Sequence, residues 1–196
     1  MRTAGCGSIG RTMTATAPTS RRAQIVAAAR RLLEADGPEA LSMRNVAAEI
    51  GIRAPSLYEH VADKRALESA IIAAGLHEQG VALREAVAAP AGQADPLAAI
   101  AMAWSRWAHE HPHLYGLIYA RDLDRSDPAV AEAELYAGAP LRELCGGDLV
   151  TARVIWAFAH GMVNLELTDR FPPQTDVEAL WIRGLDALRP LLPAAA

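Results

Sequence analysis

The chain contains one lysine, Lys64, so its positive charge rests almost wholly on arginine. Phenylalanine is equally scarce, with two copies in 196 residues, although 52% of the chain is hydrophobic and alanine is prominent. That balance disfavours a sheet protein built on aromatic and β-branched side chains and favours helices packed through small residues. An all-α fold is expected. The two cysteines, Cys6 and Cys145, lie far apart and form no metal-binding or redox motif, which points to reduced cytoplasmic thiols. No apolar run approaches the roughly 20 residues needed to span a bilayer, and the amino terminus lacks the apolar core of a signal peptide. A cytoplasmic protein with no membrane partner is expected. Also missing are the constellations of catalysis: a nucleophile beside a base, a phosphate loop, a cofactor signature or Gly-x-Ser-x-Gly. His160 with Glu166 is the one pair that could do acid–base work, and a buried, hydrogen-bonded histidine explains His160 more simply. No enzyme activity, cofactor or metal is expected.

The net charge of −4 would by itself disfavour nucleic acid, but the charges segregate. Residues 1–70 carry ten basic and seven acidic side chains, a balance of +3, against nine and sixteen, or −7, in the remainder. A basic head on an acidic body turns the head toward an anionic partner such as DNA. The length suits one small module plus a larger domain.

Residues 42–67 read as a helix, a tight turn, a short second helix and the start of a third. Ser42 can cap a helix whose inward positions are Val46, Ala47 and Ile50, and Gly51 supplies the sharp exit. Pro55 fits the first turn of the next helix, while Leu57 and Val61, four apart, anchor its inner face. This is the layout of a helix-turn-helix, which places side chains in the major groove. Ser56, Tyr58 and His60 are left on the outer side, where hydroxyl, phenol and imidazole groups suit phosphates and base edges.

The fragment Pro55-Ser56-Leu57-Tyr58, followed by His60, Lys64 and Leu67, resembles the DNA-binding domain of the tetracycline-repressor (TetR) family of bacterial transcription regulators. With RRAQIVAAARRLLEADGPEAL upstream, the resemblance covers roughly residues 20–74. It implies that Arg44, Ser56 and Tyr58 face the groove while Ser42, His60 and Lys64 hold phosphates. The chain departs from the tetracycline repressor itself at Ala54 and Glu59, where that protein has a base-reading amide and an aromatic residue. Its operator therefore does not transfer, and Arg53 is a substitute reader. Plain solvated charge is the alternative for Arg44 and Arg53. The expected DNA-binding set is Ser42, Arg44, Arg53, Ala54, Pro55, Ser56, Tyr58, His60 and Lys64.

Residues 1–19, rich in Gly, Thr, Ala and Ser without periodicity, are expected to form a disordered arm. Met13 is an alternative start, and Arg2, Arg11, Arg21 and Arg22 could instead form a basic arm to DNA. The DNA-binding domain is expected over residues 20–66 and a ligand-binding and dimerisation domain over 67–196. Apolar periodicity and caps predict helices over 20–35, from Asp63 to about residue 87, then 96–110, 128–144, 148–167 and from Thr175 or Asp176 to residue 188. The total is about nine. A break is expected at Ala88-Ala89-Pro90-Ala91-Gly92.

The last two helices carry Val150, Val154, Ala157, Phe158, Gly161 and Leu165, then Val177, Leu180, Trp181, Leu185 and Leu188, an apolar surplus for an outer layer. The family resemblance implies a four-helix dimer interface here; simple closure of the monomer core is the alternative. A dimer also suits a palindrome, which two reading helices about one turn, ~34–36 Å, apart bind together. Residues 104–120 and 155–167, with Trp156, His160 and Gly161, resemble the WHG-type regulatory domain of the same family, implying a ligand-responsive body. Met102, Trp104, Trp107, Tyr115, Tyr119, Trp156, His160 and Met162 fit either an apolar pocket or ordinary core. His109, His111 and His113 surround Pro112, which argues against a continuous helix and for a solvated turn over a metal site. The whole reads as a homodimeric transcriptional regulator bound to a palindromic double-stranded operator, a repressor released by a small apolar effector. A DNA-binding architectural or partner-binding protein without an effector is the alternative.

Overall fold

The structure is a computed structural model that describes residues 20–119 and 122–194. The expected amino-terminal arm, with Cys6, Met13, Arg2 and Arg11, lies outside the described residues. Ten α-helices and no strand occur among the described ones: α1 (Arg21–Asp36), α2 (Met43–Glu49), α3 (Ala54–Tyr58), α4 (Lys64–Ala88), α5 (Pro90–Ala94), α6 (Pro96–Glu110), α7 (Pro112–Tyr119), α8 (Pro128–Leu144), α9 (Leu149–Leu167) and α10 (Val177–Leu188). None is long and apolar enough to cross a membrane.

Side-chain caps explain where most of these helices begin. Ser20, Ser42, Asp63, Asp95, Asp127, Asp148 and Asp176 each accept a hydrogen bond from an amide in the first turn of the helix that follows. Each satisfies a backbone donor that has no partner within its helix. Gly51, with φ 67, follows α2 in the left-handed conformation that other side chains resist.

Three helices depart from the sequence expectation. The break at residues 88–92 is a single extended residue, Ala89, after which Pro90 opens the short α5. Pro112 likewise stops α6 and starts α7, because a proline fits a first turn at no cost but in a helix interior removes a hydrogen bond and crowds the preceding turn. α3 is shorter than expected: it ends at Tyr58, so Val61 is buried from the following turn and not from the helix face.

One hydrophobic cluster runs through the molecule. Ile25, Leu33, Val46 and Leu57 from α1–α3 join Leu67 and Ile71 at the start of α4, and the same cluster continues through α6–α10. α4 is the axis, and its broadest packing partner is α8. Gly80 permits that approach, because a Cβ there would stand 2.6 Å from Tyr136 Cδ1 and 3.1 Å from Ala137 Cα. His77, one turn earlier, stacks on the same ring at 4.7 Å, and the Arg84 guanidinium, one turn later, lies 4.5 Å from its centre. Cys145 is buried at the end of α8, where loss of solvation pushes its thiol upward.

Of the expected pairing residues, Val150, Val154, Leu165 and Leu180 are exposed, joined by Leu149 and Ile182. Trp181 and Leu185 turn inward instead, and the Trp181 indole donates to Glu166 at 2.6 Å. α10 thus serves the core with one face and leaves another bare.

Candidate nucleic-acid interface and polar core

α2 and α3 are held by what lies beneath them. Val46 and Leu57 are fully buried, Val61 is nearly so, and Ile52 N donates to Ala47 O at 2.9 Å to close the turn. The other side is bare. Arg44, Arg53, Pro55, Ser56, Tyr58 and His60 are all exposed, Tyr58 by 51%, and Ala54 is half-buried. Among the described residues Arg44, Arg53, Ser56, Tyr58 and His60 make no side-chain hydrogen bond or ion pair, so their polar groups stay available. Ser42 differs, since its hydroxyl already caps α2 through Asn45 N at 3.1 Å, leaving a lone pair and the O–H for another partner. Lys64 opens α4 with its ammonium 3.7 Å from Glu68, an exposed i,i+4 pair of the kind that contributes little.

The body holds a second group. Trp104 on α6, Tyr115 and Tyr119 on α7, and Trp156 and His160 on α9 form a continuous ring system. Trp156 and His160 stack at 5.2 Å and 4°, and Tyr119 lies 4.6 Å from Tyr115 and 5.2 Å from His160. The Tyr115 hydroxyl meets His160 Nδ1 at 2.6 Å. Burial pushes both tyrosine hydroxyls far above their ordinary range and lowers His160, so burial favours the neutral form of both partners.

Three residues expected in that group stand apart. Met102 is exposed on the outer side of α6, the Trp107 indole points to Glu78 on α4, and Met162 is buried on α9 without joining the rings. One residue absent from the expectation belongs there. Gln79 on α4, 1% exposed, accepts from the Tyr119 hydroxyl at 2.9 Å while its amide Nε2 has no partner. Its signal in the sequence is a polar residue set in the apolar stripe of Leu76, Gly80 and Leu83.

The histidines form no cluster, and the corner around Pro112 is exposed except at His111. His109 is exposed with Nε2 3.2 Å from Glu166, and His113 packs beside Gly37. His111 is half-buried at the α6–α7 corner, with Nδ1 3.0 Å from Glu34 on α1 and Nε2 3.1 Å from Glu78 on α4. Arg30 on α1 completes the knot, forking onto Glu78 and holding that carboxyl below its ordinary value. The solvated turn therefore holds for His109, Pro112 and His113, while His111 is instead a polar fastening between α1, α4 and the α6–α7 corner.

Comparisons with known proteins fall on both parts of the chain. Residues 25–71 match the family model described as bacterial regulatory proteins, tetR family, and residues 97–188 match that of the tetracyclin repressor-like C-terminal domain. An uncharacterised HTH-type transcriptional regulator of Mycobacterium tuberculosis is 27% identical over 154 residues, covering 75% of this chain and 70% of that protein. Among solved structures, a protein of unknown function from Rhodococcus sp. RHA1 superposes with a TM-score of 0.74 at 25% identity, over 91% of this chain and 98% of the other. The multidrug binding protein EbrR complexed with ethidium gives a TM-score of 0.68 at 25% identity, over 89% and 100%.

Proposed function

The chain belongs to the TetR family of DNA-binding transcriptional regulators, and from that membership we propose that it is a homodimeric repressor released from a palindromic operator by a small apolar molecule. The observation that carries the reading is the two-sidedness of α2 and α3. Their inner faces are sealed into the core, while Arg44, Arg53, Ser56, Tyr58 and His60 are exposed together and unpaired. In this reading residues 20–66 act as the reading domain and 67–196 as the responsive one, although α4 runs unbroken across that boundary. Arg44, Tyr58 and Ser56 read base edges with Arg53 as a further reader, Ala54 and Pro55 let α3 approach the groove closely, and Ser42, His60 and Lys64 hold phosphates.

Pairing rests on the bare apolar strip of α9 and α10, where Val150 is 71% exposed and Ile182 54%. A twofold axis there sets two reading helices side by side. Support for the effector site comes from Trp104, Tyr115, Tyr119, Trp156 and His160 around the spare amide of Gln79, an apolar surround with few polar groups. Ligand binding within the fold has a precedent in EbrR, solved with ethidium. The tyrosines stand on α7, whose first turn adjoins His111, and Gln79 stands on α4. A guest among the rings therefore bears on both links to the head. Shifting operator occupancy from 99:1 to 1:99 asks the guest to prefer the released form by about 5.5 kcal/mol.

The test is selection of bound fragments from genomic DNA, followed by titration at physiological salt. A preference of ~10³ or more for a palindromic site over random duplex is expected. Equal binding to all duplexes would remove the regulator reading.

A further inference from the structure

A cleft of about 420 Å³ opens on the flank of α4 away from the reading head, between its last turns, the start of α6 and the end of α8. Val87, Ile100, Pro140 and Leu144 make its walls apolar, and Arg84 and Glu143 are the charged groups in its lining. We propose that this cleft binds an apolar carboxylate, its hydrocarbon part against those walls and its anionic end on the Arg84 guanidinium.

The geometry of Arg84 chooses the chemistry. Its guanidinium carbon lies 4.5 Å from the centre of the Tyr136 ring, a cation–π contact that holds the group beside the cleft. Its Nε is buried without an acceptor, and the carboxylate paired with it among the described residues, Glu143, is 3.9 Å from Nη1 and largely exposed. A buried donor without a partner is costly. An arginine is a permanent cation whose donors form a planar fork suited to a carboxylate. A cationic guest is repelled by it, and a neutral one leaves it only the long, exposed pair with Glu143. Glu143, 66% exposed, can turn to water when an acid arrives. The volume lies within the ~300–1,000 Å³ common to small-molecule sites. Because α4 and α8 form two of its walls, a guest bears on the same helix pair that meets at Gly80 and Tyr136.

The experiment is calorimetric titration of the full chain with 2-naphthoate, 2-naphthamide and 2-naphthylmethylammonium, which share one apolar body and differ in charge. Naphthoate should bind ~10-fold or more tighter than the amide, and the ammonium should bind most weakly. Arg84→Met should erase the acid's advantage. Glu143→Gln, at an exposed position that leaves the fold intact, should tighten naphthoate several-fold by removing a competing carboxylate. Ile100→Trp should weaken naphthoate by filling the cleft, while Trp156→Ala should leave it unchanged. Equal binding of acid and amide, an acid preference that survives Arg84→Met, a loss of binding in Trp156→Ala, or no saturable binding at millimolar naphthoate would each overturn the proposal.

Discussion

His111 Nδ1 lies 3.0 Å from Glu34, joining the corner between α6 and α7 to α1 of the reading head. The same ring meets Glu78 of α4 at 3.1 Å, and Arg30 reaches that carboxylate from α1. Removing the imidazole leaves two carboxylates facing each other across a half-buried gap, with only Glu78 still well paired. His111→Leu should therefore destabilise the fold by about 1–2 kcal/mol in a urea titration. His111→Leu/Glu34→Gln should recover part of that loss. A double variant no more stable than the single one would show that the ring acts through packing alone.

At the reading face, two basic residues should separate by behaviour. Arg44→Ala should relax sequence preference by about 1–3 kcal/mol at one operator position, whereas Lys64→Ala should weaken every duplex alike and flatten the salt dependence by about one unit. Fluorescence anisotropy on matched and mismatched duplexes across a salt series measures both. Identical behaviour of the two variants would end the division into reader and phosphate holder.

The bare strip of α9 and α10 predicts its own failure mode. Val154→Arg, at a position 44% exposed in the single chain, adds a charge that solvent accommodates in a monomer but a dimer seam does not. Light scattering should report a monomer of undiminished helicity, and operator affinity should fall with it. A variant that stays dimeric would move the seam elsewhere.

Two glycines offer a paired test of packing. Gly80→Ala puts a methyl against the Tyr136 ring and the α8 backbone and should cost about 1–3 kcal/mol, the usual range for overpacking. Gly138→Ala, in α8 with nothing within 4 Å of the added carbon, should instead stabilise by about 0.5–1 kcal/mol. Thermal or urea unfolding compares them directly.

Burial lowers His160, so the folded protein prefers the imidazole neutral while the unfolded chain takes up a proton at the ordinary value. Its contribution is then fully present above the ordinary histidine range and is lost as pH falls through and below it. The melting temperature should drop between pH 7.5 and pH 5.5, and His160→Asn should remove part of that slope. A slope unchanged in the variant would place the effect on other groups.

The helices whose starts were legible in the sequence begin with a carboxylate or hydroxyl that has a local job. Asp95, Asp127 and Asp148 each satisfy an amide a few residues away, so neighbouring sequence sufficed to locate α6, α8 and α9. Pro90 and Pro112 misled because proline breaks one helix and begins the next with equal ease, and only the tertiary path decides which. The outward set on α2 and α3 was legible for the same local reason: its periodicity is short and its anchors are adjacent. Gln79 and His111 were not, because their partners lie 40 residues away on Tyr119 and 77 residues away on Glu34. The exposed Met102 marks the converse limit, where composition suggested a lining and helix rotation put the side chain outside.

α4 is a rod of 25 residues with Lys64 at one end and Gly80 seated on Tyr136 two thirds of the way along. At ~1.5 Å per residue the arm from that fulcrum to Lys64 is roughly 24 Å, so a tilt of about 5° sweeps the reading end through about 2 Å. In the proposed twofold pair the two sweeps would add. In that proposed pair, a displacement too small to disturb any helix would suffice to put two recognition elements out of step with the duplex, and the closeness of a glycine to an aromatic ring becomes a matter of leverage.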